Sequence, residues 1–135
     1  MERFTARGHP LITSLHGSTL EITKDPEVGP KGDCIVAVSS SRGCRDLSEG
    51  VKRAVWQGAE MYLLLEVGDV AEEIRGFGHP DLELSDPDEM VFRKSEFISP
   101  RTVFVRADRS ASDLPREFVE MLRNRSEVHV TLGSV

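Results

Sequence analysis

The sequence predicts a mainly β single domain on the border of the α+β class. It should hold about eight short strands and two helices, built as a β-sandwich or barrel from two β-β-β-α-β halves. Three observations predict it. The chain resembles itself at a spacing of 70 positions, several short runs alternate apolar and polar residues, and each half carries one apolar stripe of helical period.

The self-similarity is plainest at Gly8-His9-Pro10, which recurs as Gly78-His79-Pro80. Glu2, Lys24, Pro30, Ala37 and Ser40 likewise meet Glu72, Lys94, Pro100, Ala107 and Ser110, making eight identities over residues 2–40 without a gap. Chance would give roughly two or three at ordinary residue frequencies. Apolar positions agree too: Phe4 with Ile74, Ile12 with Leu82, Leu20 with Met90, Ile22 with Phe92, Ile35 with Val105. Beyond residue 40 the spacing becomes 67, which places three extra residues of the first copy in SSSRGCRD. Asp46-Leu47 then meets Asp113-Leu114, and Glu60 and Leu65 meet Glu127 and Leu132. Two copies are too few for a solenoid, so the repeat, 1–68 and 71–135, predicts one domain, 1–135, with a pseudo-twofold axis.

Each copy opens on a short strand before GHP. A second strand follows, LEITK at 20–24 and MVFRK at 90–94, then a turn with Pro30 or Pro100. A third strand is rich in β-formers, CIVAV at 34–38 and TVFVR at 102–106. The helix comes next. Leu47, Val51, Ala54 and Val55 stand at i, i+4, i+7 and i+8, and Leu114, Phe118, Met121 and Leu122 repeat that stripe. Asp46 is the expected N-cap of the first helix, with Glu49 three residues on and Gly58 at its end. Asp113 is the expected N-cap of the second, followed by a first-turn proline, Pro115. A closing strand ends each copy, MYLLLEV at 61–67 and EVHVTL at 127–132.

Composition bounds the function. With 135 residues, 39% apolar and 30% charged, the chain suits one globular core. A net charge of −6 opposes broad binding to nucleic acid, which runs on surplus Lys and Arg. No apolar run approaches the ~18 residues of a membrane span, and MERFTARGHP lacks the apolar stretch of a signal peptide. The expected location is the cytoplasm, with no membrane partner. Cys34 and Cys44 lack both a disulfide framework and a zinc spacing. No P-loop or GxGxxG run is present, and the sequence names neither a cofactor nor an oligomeric state.

In the order ARGHP, LHGSTLEITKD, GDCIVAV, GHPDLEL, FRKS, PRT and ADRSASDL, nearly the whole chain resembles a family of small archaeal proteins, the domain of unknown function family 371. The resemblance implies a β-rich single domain in an archaeal cytoplasm. It brings no established activity, so it assigns no catalytic role. The chain departs from the family pattern near SSSRGCRDL, and Cys44 gains no role from the match.

Several residues are candidates for chemistry. His9 and His79 sit in proline-fixed turns, either facing one cleft as symmetry mates or tying down their own loops. His16 meets Asp86 in the other copy. It is a candidate acid or base oriented by Glu21 or Asp33, or else a solvated loop histidine. Lys24 and Lys94 are equivalent, and around the second lies the most basic stretch, with Arg93, Arg101, Arg106 and Arg109. Lys24, Arg93, Lys94, Arg101 and Arg109 form a candidate anion pocket, the alternative being a solvated face of surface ion pairs. Cys34, aligned with Phe104, reads as a small buried residue. The leading expectation is a small-molecule binder or enzyme for a phosphate or carboxylate, with its site between the halves. RNA binding through residues 93–109 and metal binding by the loop histidines are the alternatives.

Overall fold

The computed structural model describes residues 1–135. Eight strands form two four-stranded sheets, accompanied by two helices. In chain order they are β1 (Glu2–Arg7), β2 (Thr19–Thr23), β3 (Ile35–Ala37), α1 (Glu49–Trp56), β4 (Glu60–Val67), β5 (Val70–Phe77), β6 (Glu89–Arg93), β7 (Thr102–Phe104), α2 (Arg116–Arg123) and β8 (Glu127–Ser134). A short 3₁₀ turn precedes each helix, Cys44–Asp46 and Ala111–Asp113. The order β-β-β-α-β thus occurs twice. No helix is long and apolar enough to cross a membrane.

One sheet runs β1-β8-β4-β5 and is antiparallel; the other runs β3-β2-β6-β7, antiparallel at its centre and parallel at its edges. Both registers are symmetric under exchange of the halves. At the centre of the first sheet Leu64 pairs with Thr131, its equivalent 67 positions on. At the centre of the second Glu21 pairs with Val91, 70 positions on. The outer pairs exchange in the same way: Phe4 opposite Val130 becomes Ile74 opposite Leu63.

The two sheets are stitched at both edges. Arg7 and Val38 exchange backbone hydrogen bonds of 2.7 and 2.8 Å, and Phe77 and Val105 exchange two of 2.8 Å. These bridges satisfy edge groups that would otherwise invite pairing with another chain. One cluster of 33 buried residues, drawn from both sheets and both helices, forms the core. Phe92 and Phe104 meet edge to face at 4.8 Å within it.

The helices differ from expectation at their starts. Ser48 caps α1, its side chain accepting from Val51 N at 3.3 Å, while Asp46 closes the preceding 3₁₀ turn through Gly43 N at 2.9 Å. Pro115, not Asp113, stands at the N-cap of α2, and Asp113 holds Ser110 N at 2.8 Å. The tight 3₁₀ turn takes the aspartate first because its side chain reaches the amide three residues back.

The place of the three extra residues also differs. Strand β3 at 35–37 matches β7 at 102–104, so the spacing is already 67 there. Asp33 O accepts from the amides of Leu15 and His16, as Pro100 O does from those of Ser85 and Asp86. The extra residues therefore lie in the loop after β2, 25–34 against 95–101. This correction makes Arg101, not Phe104, the equivalent of Cys34: Glu21 N donates to Cys34 O and Val91 N to Arg101 O.

Candidate functional site

The repeated tripeptide is built for packing. A Cβ on Gly8 would strike the carbonyl of Leu122 in α2, and one on Gly78 the carbonyl of Val55 in α1. Only glycine lets each strand end lie against a helix end. His9 O then accepts from Ile12 N at 3.1 Å and His79 O from Leu82 N at 3.2 Å, closing a turn with proline second. Each imidazole Nδ1 accepts the amide two residues on, Leu11 N and Asp81 N, both at 3.0 Å. His9 is buried, with its Nε2 3.5 Å from Glu27, and His79 is half exposed. The two lie against different helices, so their loops hold separate places.

His16 and Asp86 do the same work with different chemistry. His16 Nδ1 accepts from Ser18 N at 3.2 Å and Thr19 N at 3.1 Å; Asp86 Oδ1 accepts from Asp88 N at 2.9 Å and Glu89 N at 2.8 Å. An atom facing two amides carries no proton, so the neutral ring of His16 has its hydrogen on Nε2.

The symmetric cations are tied to symmetric acids. Lys24 holds Asp46 and Lys94 holds Asp113, each at 2.7 Å. The Lys94 ammonium, the Ser110 amide and the Ser110 hydroxyl hold the Asp113 carboxyl down at about 2. Arg109 holds Glu72 at 2.7 Å, as Arg42 holds Glu2 at 3.1 Å. Arg106 lies 3.9 Å from Glu96 and stacks on Phe77. The stretch 93–109 is therefore spread over several places, and Lys24, Lys94 and Arg109 do not meet Arg93 and Arg101 in one pocket.

Around the central pair Glu21–Val91 the symmetry fails. Leu20 and Ile22 point into the core, so alternation sends Glu21 to the other face of the sheet, which the loops before β3 and β7 cover. Glu21 is only 4% exposed there. Arg101 Nη1 donates to Glu21 Oε1 at 3.1 Å and to Glu89 Oε1 at 2.8 Å. Cys34 Sγ lies 4.0 Å from Glu21 Oε1. Arg93 is close by. Its Nε donates to Thr102 Oγ1 at 2.8 Å, a second nitrogen lies 3.4 Å from Ser99 Oγ, and its guanidinium stacks 4.9 Å from the centre of the Phe97 ring. No carboxylate pairs with it. Glu21, Cys34 and Arg101 open with Pro30, Lys31 and Ile35 onto a cavity of about 460 Å³.

The electrostatics follow from burial. Desolvation, then the Glu89 charge and its hydrogen bond, push the Glu21 carboxyl up to about 7 against the opposing pull of Arg101. Burial, then the Glu21 charge, pushes the Cys34 thiol up to about 11, so it is no thiolate nucleophile. Burial and the Arg101 charge pull Arg93 down, although it stays a cation; burial also opposes the charge on Arg101, but its two glutamates raise it overall. The result is two arginines, two carboxyls that share one guanidinium nitrogen, and a proton near neutral pH. No three His, Cys, Asp or Glu side chains converge as a metal would require, here or elsewhere.

Of this cluster, the sequence points to Arg93 and Arg101 and brings in Glu21 only as a support for His16. It does not point to Glu89. A signal for Glu21 is nonetheless present: it is an acid inside the apolar strand LEIT, and it faces valine once the halves are paired.

These features define a two-sheet, mainly β domain with a polar, symmetry-broken site at the centre of one sheet. The chain belongs to the family described as domain of unknown function (DUF371), whose model matches residues 4–135. An uncharacterised protein of the archaeon Methanocaldococcus jannaschii is 37% identical over 123 residues, 91% of each chain.

Proposed function

We propose that this protein binds a small anionic molecule, a phosphate or a carboxylate, at Arg93 and Arg101, with Glu21 as the group that gives or takes a proton. One observation carries the reading. Arg93 is a partly buried guanidinium that meets only hydroxyls and an aromatic ring, beside a second arginine and a buried carboxyl. A guanidinium fork with no acid of its own is suited to an oxyanion. We read the matched registers as a duplication within the chain, with one site elaborated where the halves meet. Under that reading the equivalent ties, Lys24–Asp46 with Lys94–Asp113 and Glu2–Arg42 with Glu72–Arg109, are structural. The residues without a like partner, Glu21 against Val91 and Arg101 against Cys34, are functional.

Thermal unfolding against sugar phosphates, nucleotides, dicarboxylates and short RNAs tests it. A ligand at 100 times its dissociation constant adds about 2.7 kcal/mol, and the midpoint rises visibly. The expected result is a rise with a small anion that disappears in Arg93→Ala. A rise only with RNA, fading with salt, would favour a nucleic-acid surface instead. No rise with any small anion contradicts the proposal.

A further inference from the structure

The Glu21–Glu89 pair has a consequence for how the site binds. This step rests on the anion site proposed above and adds its regulation. Arg101 Nη1 reaches both carboxyls, and Glu21 is buried, so a single cation serves two acids at close range. Such a pair retains one proton more readily than two charges. An oxyanion entering beside Arg93 would add a third negative group to that space and draw on the same arginines.

We propose that the protein takes up one proton at the Glu21–Glu89 pair when it binds an oxyanion, so that acid strengthens binding and base releases the ligand. The charged and titratable groups around the pair come from every element beside it: Glu21 on β2, Glu89 and Arg93 on β6, Arg101 before β7, and Lys31 and Cys34 in the loop before β3, with Asp33 next to Cys34. The arginines stay cationic and the buried thiol stays neutral across neutral pH, which leaves the carboxyl pair to carry the change. The Glu21 carboxyl, raised to about 7 by burial and Glu89, titrates in the right range. The loop that lines the cavity is the one carrying the extra residues of the first half. The second half has neither that loop nor the glutamate, so the device is built once.

The test uses sulfate, whose charge is constant across neutral pH. Calorimetry of the intact protein should give a dissociation constant about tenfold weaker at about pH 8 than at about pH 6. Repeating the pH 8 titration in buffers of different ionisation heat should show close to one proton taken up per sulfate. Glu21→Gln, a neutral isostere, should bind with the acid-side affinity at both pH values and take up no proton. Arg93→Ala should lose sulfate at both. If wild-type affinity is the same at both pH values with no proton uptake, the coupling is wrong while the anion site stands. If Glu21→Gln keeps the wild-type pH dependence, the proton goes elsewhere and the proposal fails. If the wild type binds no sulfate at either pH, the anion site itself fails.

Discussion

Glu21 owes its behaviour to its place in the strand. It stands between Leu20 and Ile22, whose side chains fill the core, and so it lies on the opposite face beneath two loops. The side chain is largely buried, Glu89 is adjacent, and the neutral acid is favoured. The stability consequence has a definite sign. A carboxyl raised from 4.5 to about 7 on folding stabilises the native state fully below about pH 4.5, and that contribution is lost as pH rises through about 7. Chemical denaturation should lose on the order of 2 kcal/mol between those values from this group. Glu21→Gln should remove that slope and be the more stable protein at about pH 8; a variant with the wild-type slope would show that Glu21 is not the titrating group. His16 shows the opposite relation between sequence and role. It differs from Asp86 in kind, yet both lend an acceptor to the amides two and three residues on.

At the scale of the elements, Glu2 of β1 and Glu72 of β5 anchor the segments that lead into the helices. Glu2 takes both Arg42 and the amide of Ser48, the N-cap of α1. Glu72 takes Arg109, but Pro115 stands where Ser48 would and has no amide to offer. The side chain of Glu2 is 7% exposed and that of Glu72 19%. Glu2→Ala should therefore cost about 3 kcal/mol and Glu72→Ala clearly less, measured by urea unfolding. Equal costs would mean that the helix anchor contributes nothing. Most of this scale is legible in the sequence, because strands half buried alternate with period two and both helices carry a clean stripe. Two things are not. The helix starts are displaced because the aspartates serve the 3₁₀ turns. The extra residues are displaced because the matches Pro30 with Pro100, Ala37 with Ala107 and Ser40 with Ser110 sustain the wrong spacing. The structural spacing has its own matches, Val36 with Val103, Val38 with Val105 and Arg42 with Arg109, but they are no more numerous than those at the wrong one. That displacement hides the site, since it sets Cys34 against Phe104 instead of Arg101.

For the whole molecule, each half supplies two strands to each sheet, and one core joins them. The central pairs β4–β8 and β2–β6 both cross between halves. Neither half can bury its apolar faces alone, so residues 1–68 and 69–135 expressed separately should be unfolded and should regain structure when mixed, read by circular dichroism. A half that folds as a monomer would contradict this. The same crossing explains why the site escapes a linear reading. Glu21 and Arg101 are 80 positions apart and meet only through the pairing of β2 with β6.

The most direct test is the titration of the Glu21 carboxyl carbon by ¹³C nuclear magnetic resonance, without and with sulfate. The expected midpoint lies near 7 in the free protein and moves up when sulfate binds. A midpoint in the ordinary carboxylate range, unmoved by sulfate, would contradict both the buried acid pair and the anion site beside it.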